Sequence, residues 1–486
     1  MRVAYQAGAI KALYDQGLRF SIADGSSGGT MNLAALLSGL SPDQLCARWR
    51  TLAVTGFISL RPLSAYLRFP ATGALGDFDG IVGYVFPHLG IDVSRMTATQ
   101  GISASFNVAD FAAKQAVAIP HAEMSIELLC AGISLPLATP AMSYRGRTWT
   151  DAVWIRDSNL LGAIDAGADE LWVIWCIGNT PDFKSGLLEQ YVHMIELAAI
   201  GHLNAELAAI EAINARITAG EKVGGRDRPI IVHVIRPPVP LPLDPDFLLG
   251  HIDSATLIAL GHSDASRYLL AGATAGTPLT PAATQTPSPG RGVSFRETMR
   301  GRITWGAQEP VQGARGDAAI PVALHATINI DDVAAFVRDP AHGGRLHGWL
   351  EAHRLGGWLP SADGRFGLFT PTADPDVSHM VYDLRLRVNG QDVYMRGRKH
   401  VALAGPWRLW PATTTLYVTL HEGGTEEGAI IAAGVLRLGI GALFALIGTL
   451  IATACERSSQ RLGAKLRFMS FFAGSLWRIY ARRQRA

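Results

Sequence analysis

A chain of 486 residues is too long for one ordinary core, so two or three folded units are expected, and 48% hydrophobic against 17% charged residues excludes a disordered protein. Lys+Arg 43 against Asp+Glu 41 leaves a net charge of +2, which gives no ground for a nucleic-acid partner even though the final stretch is locally basic. Cys46, Cys130, Cys176 and Cys455 form no C-x-x-C pair, so neither a zinc site nor a disulfide framework is signalled, and with no basic-then-apolar leader a reducing, cytoplasmic setting is expected.

Tyr5 to Asp15 reads as a helix, with Ile10, Leu13 and Tyr14 on one face and Gly17 as its stop. Leu18, Phe20 and Ile22 then alternate with polar or small residues as a strand does, and Met31, Leu33, Ala34, Leu36 and Leu37 make an apolar helical face ending at Gly39. Between them lies Gly25-Ser26-Ser27-Gly28-Gly29, a G-x-S-x-G sequence placed as strand, sharp turn, helix. Such a turn needs glycine where the backbone is cramped, and it leaves the serine hydroxyl at a helix N-terminus, where the dipole favours negative charge. Ser27 is therefore the candidate nucleophile. In a chain with 52 glycines the motif alone is not specific, so its surroundings carry the argument.

Ser41-Pro42 is a good N-cap and first position for a helix carrying Leu45, Trp49 and Leu52. Leu171 to Trp175 and Ile230 to Ile235 are short apolar runs of the kind found in buried parallel strands, and Leu187 to Ala219 has helical spacing throughout. Residues 1–270 thus read as alternating α/β. Residues 271–293, built of Ala, Thr, Pro, Gly and Ser, read as a linker. Beyond it the period changes to two: Tyr382, Leu384 and Leu386 alternate with charged neighbours, Asn389-Gly390 supplies a hairpin turn, and Thr415 to Leu420 alternates again. Residues 294–425 are expected to be mostly β, interrupted by one helix capped at Asp331 or Asp332.

Residues 426–486 read as an apolar and basic tail. Leu438 to Cys455 has no charged residue and just reaches the length of a membrane span, about 18 residues. Leu462, Leu466, Met469, Phe472, Leu476 and Ile479 then recur at helical spacing among Arg461, Lys465, Arg467, Arg478, Arg482, Arg483 and Arg485. Two readings of this basic amphipathic helix stand: docked on the chain's own core, or lying on a membrane surface.

In its order of elements, the first 270 residues resemble the patatin-like phospholipase family. The stretches that carry the likeness are Ala4 to Leu13 for the first helix, Gly25 to Asn32 for the serine turn, Ala131 to Pro136 ahead of an aspartate, and Leu257 to Ala265 for the closing helix. The resemblance implies a three-layer α/β/α hydrolase domain acting on lipid carboxylic esters through a Ser-Asp dyad, with no histidine. By position the aspartate is Asp151, although the family's D-G-G or D-G-A becomes Asp151-Ala152-Val153. In the family a strand and a G-G-G-x-R-G loop precede the first helix; here only Arg2 corresponds, so the resemblance implies a start that joins the pattern late. Arg2 and Gly28 are the loop and oxyanion candidates, and Gly25 and Gly29 complete the motif.

Residues 294–486 resemble an accessory domain found beside actinobacterial cholesterol-oxidase-like proteins, on Phe295 to Gly301, Trp407 to Trp410 with Thr413 to Leu416, and Phe471 to Trp477 with Tyr480. What this likeness adds is a lipid ligand or a membrane partner. No H-E-x-x-H, EF-hand, P-loop or strand-borne G-x-G-x-x-G is present, so no metal and no cofactor are expected. Two alternatives to the dyad hydrolase remain: a catalytically impaired, membrane-associated lipid-binding protein, and a Ser-His-Asp esterase using His233 or His262.

Overall fold

The computed structural model describes residues 2–57, 59–67, 73–177, 183, 185–239, 241, 252–272, 274–285, 290–374, 377–402, 413–439, 441–442, 448–455 and 458–481. Chain contacts divide it into two compact units, Met1–Gly261 with Tyr268–Thr286, and His262–Arg267 with Pro287–Ala486. The stretch Trp407 to Trp410 lies outside the described residues.

In the first unit, helix Ala4–Asp15 is stopped by Gly17, whose φ of 84° only glycine adopts without strain. Strand β1, Ile22–Ser26, begins at the last of the three residues whose alternation suggested it and runs into the motif, and helix Gly29–Leu37 follows. Helix Pro42–Thr51 has the expected start, with Ser41 and Gln44 forming a reciprocal capping box. Its Trp49 is fully buried and donates from Nε1 to Asn32 Oδ1 at 2.7 Å, which satisfies the indole and ties this helix to the one behind the serine turn. Asn32 Nδ2 in turn donates to Val3 O at 2.9 Å and to Gln6 Oε1 at 3.1 Å.

β1 pairs in parallel with β2, Ser103–Asp110. β2 also pairs antiparallel with β3, Gln115–Pro120, and with β5, Arg147–Asp151, which in turn pairs with β4, Met142–Tyr144. Because β3 accompanies β2 along Ser105 to Asp110, β1 and β5 share the opposite edge, one after the other. The two apolar runs form β6, Glu170–Ile174, and β7, Ile231–Ile235, paired in parallel, and the 32-residue helix Leu187–Thr218 buries Leu203, Leu207 and Ile210 in a core with Leu171, Val232 and Val234. The closing helix, Ser254–Leu270, approaches the first so tightly that a Cβ at Gly261 would lie 1.9 Å from Tyr5 O.

Part of the stretch expected to be a linker is packed. Thr277 bonds both Val232 O and Val234 N, and Ala283 enters the core beside β7. Hydrogen bonds from Thr277 and a small apolar side chain suffice to hold it on β7.

The second unit is a β-barrel. Among the described residues, β8 (Gly292–Trp305), β9 (Ile320–Ile330), β10 (Gly343–Ala352), β12 (Asp363–Pro371), β13 (Val377–Val388), β14 (Gln391–Ala402), β15 (Thr415–Glu422) and β16 (Ile430–Leu438) form a closed antiparallel ring, with β11 (Gly357–Pro360) on β10 and β17 (Ile451–Thr453) on β8. Asn389 and Gly390 have φ of 50° and 82°, the two positive values a type I′ turn needs between β13 and β14. Asp332 caps helix Val333–Arg338 by accepting from Ala335 N.

Two expectations change here. Ile430–Leu438, assigned to the tail on sequence, is a barrel strand hydrogen-bonded on both edges. The uncharged stretch Leu438 to Cys455 contributes β17 and a Thr449 bond to Arg296, and among the described residues no helix is long and apolar enough to cross a membrane. The C-terminal helix, Ser458–Ala481, packs Phe468 on Phe295 at 5.6 Å and Phe471 on Phe336 at 5.7 Å between ring centroids. In the buried interior, Lys399 Nζ lies 3.2 Å from Glu297 Oε2 and 2.9 Å from the Tyr382 hydroxyl.

Candidate active site

Ser27 has φ of 48°, a left-handed conformation costly for a residue with a side chain, and it sits between the end of β1 and a helix N-terminus. The neighbouring glycines differ in how far they are required. A Cβ at Gly28 would lie 2.2 Å from Val3 Cγ1, and one at Gly25 would meet Leu33 Cδ2 at 3.1 Å, while Gly29 would make only an ordinary 3.6 Å contact with Gln6. Glycine is thus dictated at Gly28, favoured at Gly25 and dispensable for space at Gly29.

The sheet register brings Asp151 to this turn. Ser26 pairs with Asn107 and Asp151 with the next residue of β2, Val108. Asp151 is fully buried, and its Oδ1 accepts from Val153 N at 2.9 Å. Ala152 and Val153, which replace the glycines of the resembling motif, lie buried in a short 3-10 turn, Ala152–Trp154, that supplies this hydrogen bond. Thr150 Oγ1 and Asp151 N both donate to Ser134 O, so the Ala131 to Pro136 segment holds the end of β5.

Burial, then the neighbouring Asp157 carboxyl, push Asp151 well above the ordinary carboxylate range, against hydrogen bonds from Val153 N and the Ser27 hydroxyl. The serine contact is loose, since Oδ2 has no partner at full hydrogen-bond geometry. Catalytic hydrogen bonds are often long before substrate binds.

Residues that sequence reasoning did not single out surround the pair. Asp157 is half-buried as a residue, but its Oδ1 is closed off from solvent, and burial raises it to about 7 against the Ser26 hydroxyl, with Asp24 adding to the rise and His202 opposing it. Asp24 accepts from Ser105 Oγ at 2.6 Å, Asn107 Nδ2 at 2.5 Å and Asn159 Nδ2 at 3.2 Å, linking β1, β2 and the loop after β5. Glu206, from helix Leu187–Thr218, accepts from Ser158 Oγ at 2.5 Å and from the N–H groups of Leu160 and Leu161 at 3.2 Å each. Burial raises the Glu206 carboxyl, and the hydrogen bonds from His202, Ser158, Leu161 and Leu160 outweigh it, leaving the pKa lowered. Asp24 stood directly before the motif; Asp157 and Glu206 had no spacing that marked them.

The remaining candidates have these partners. Arg2 Nη1 is 3.8 Å from Glu196 of helix Leu187–Thr218. His233 Nε2 is 3.2 Å from Glu170 and Nδ1 3.0 Å from the Tyr268 hydroxyl, and its ring stacks on Trp172 at 3.8 Å. His262 belongs to the second unit, where its Nδ1 is 3.1 Å from Ser361 O.

Beside Asp151 an apolar rim stands in water. Tyr191 donates from its hydroxyl to Pro136 O at 2.6 Å and packs 6.0 Å from Trp154, and burial followed by the nearby Asp151 charge raises its pKa. Next to Pro136, Leu137 is 65% exposed and its carbonyl accepts from Leu75 N, while Leu187 on the helix of Tyr191 is 89% exposed. Exposed large apolar side chains gathered at a site mark contact with an apolar partner.

No curated protein matches the chain. Over residues 1–164, which hold both Ser27 and Asp151, the chain matches the model of the Patatin family, the patatin-like phospholipases.

Proposed function

We propose that the protein is a lipid acyl hydrolase that cleaves carboxylic esters through Ser27 and Asp151. The observation that carries this reading is the strained Ser27 turn set, by consecutive residues of β2, against a buried carboxylate. Ser27 Oγ attacks the ester carbonyl carbon as its proton passes to Asp151. The oxyanion is held by the Gly28 N–H and the N-terminal end of helix Gly29–Leu37. The alcohol leaves with the proton from Asp151, and an acyl ester on Ser27 remains. Water then attacks that ester and gives a proton to Asp151; the fatty acid departs, and the proton returns to Ser27. A carboxylate replaces imidazole here because burial raises its basicity.

The match to phospholipases and the exposed rim of Leu75, Leu137 and Leu187 support a lipid rather than a small polar ester. A membrane surface, engaged through the C-terminal helix, is the proposed partner. The test is hydrolysis of a phosphatidylcholine, a triacylglycerol and a sterol ester by the protein and by Ser27→Ala. Release of fatty acid that falls at least about 1,000-fold in the variant is expected. Equal turnover by both proteins, or none by either, would overturn the reading, the second outcome favouring an impaired lipid-binding protein.

A further inference from the structure

The C-terminal helix Ser458–Ala481 has two apolar faces, and the barrel uses one. Ala464 and Phe468 are buried, and Phe471, Phe472 and Leu476 pack on the core of the second unit. On the other side, Leu462 is 58% exposed, Leu466 56%, Met469 41% and Trp477 75%. Their spacing of four, three and eight residues puts all four on one stripe of the helix, with the small, exposed Ala473 filling its gap. At 3.6 residues per turn this stripe is nearly opposite the docked face.

Cations flank the stripe. Lys465 falls near one edge of it, Arg467 and Arg478 lie beyond the other edge between the stripe and the docked face, Arg461 adds a further cation in the first turn, and Ser458–Ala481 contains no Asp or Glu. Arg461 donates to Cys455 O at 3.3 Å and Arg478 to Ser475 Oγ at 3.1 Å, both uncharged oxygens. Exposed leucine, methionine and tryptophan flanked by basic residues match a bilayer surface of negative charge, where the apolar side chains enter the acyl boundary and the cations meet headgroup phosphates. A second copy of this helix fits less well, because two such stripes face to face would bring like-charged flanks together.

We propose that this outward stripe, Leu462, Leu466, Met469 and Trp477 with its flanking cations, seats the protein on an anionic lipid surface while the opposite face stays docked on the barrel. The inference takes up the membrane partner of the proposed hydrolase, but its test reads binding alone, so failure of Ser27 chemistry and failure of the stripe are separate results.

The experiment is cosedimentation of the full chain with vesicles of phosphatidylcholine alone and of phosphatidylcholine with phosphatidylglycerol, beside sizing in solution. The anionic vesicles are expected to bind the protein at least about tenfold more tightly than the neutral ones, and raising salt from about 0.1 M to about 0.5 M should weaken that binding by a similar factor. Leu466→Glu should abolish binding with an unchanged thermal midpoint, because the side chain it replaces is exposed. Arg467→Gln with Arg478→Gln should weaken it by about 25-fold, each cation contributing about fivefold. Equal affinity for neutral vesicles, unchanged binding by Leu466→Glu, or a dimer that Leu466→Glu splits while vesicles fail to bind would each overturn the proposal.

Discussion

Ser26 and Asp151 lie against consecutive residues of one strand, Asn107 and Val108 of β2, so two segments 125 residues apart end side by side on the same sheet edge. Ser27 follows as the first residue of the turn, and the carboxylate that closes β5 faces it. A sheet register is stiff, because a slip of one residue would turn every side chain to the other face. The placement of the proposed base is therefore set by backbone pairing rather than by the Ala152-Val153 turn that follows it.

If Asp151 is the base, activity requires it ionised. Its pKa is raised, by burial first and by Asp157 second, so kcat/KM should rise with pH through a limb above the ordinary carboxylate range. Asp157→Asn removes one repelling charge and lowers the pKa of Asp151, which moves that limb to lower pH. Asp151→Asn should remove turnover across the whole range. A pH–rate profile on any soluble ester that the protein accepts checks all three.

The two glycines after the serine should respond oppositely to alanine. Gly28→Ala forces a Cβ to 2.2 Å from Val3 and should lower the thermal midpoint, with a cost of about 1–3 kcal/mol. Gly29→Ala meets only a 3.6 Å contact at the first position of a helix and should be neutral or stabilising by up to about 1 kcal/mol. Paired denaturation curves separate the two outcomes.

Glu206 holds the loop between Asp151 and helix Leu160–Asp165. Glu206→Ala leaves the Ser158 hydroxyl and two buried N–H groups without their acceptor, at about 1–3 kcal/mol for each group left unsatisfied. Its folded pKa is depressed, so its contribution is full above the unfolded value of about 4.3 and is lost as pH falls through the folded one. The stability gap between the protein and Glu206→Gln should therefore narrow in acid, as measured by urea unfolding at pH 7 and below pH of about 4.

Inside the barrel, Lys399 and Glu297 are both buried and 3.2 Å apart. Removing one partner strands the other charge, so Lys399→Met should cost about 3–5 kcal/mol, whereas Lys399→Met with Glu297→Leu should recover most of the loss. Thermal melts of the single and double variants test this coupling.

The G-x-S-x-G turn, its flanking strand and helix, the Ser41 cap and the Asn389-Gly390 hairpin were legible because each depends on residues adjacent in sequence. So was the change from mixed α/β to β, since a period of two is visible without knowing which strand pairs with which. The candidate base was reachable only through resemblance, as a lone aspartate has no local signature. Asp157 and Glu206 could not be found at all, because they matter through burial and through contacts between segments distant in sequence, such as Ser158 with Glu206, 48 residues apart.

The amino-acid sequence by itself determined where the chain turns, which segments are helical or extended, and that the last helix is both apolar and basic, for these are properties of neighbours along the chain. Tertiary structure alone decided that Ile430–Leu438 is a barrel strand and not the start of a tail, that Pro- and Thr-rich residues near 277 pack on β7, and which face of Ser458–Ala481 is spent on the core. Those outcomes turn on pairing and burial between distant segments, where long-range hydrogen bonds and packing override local composition.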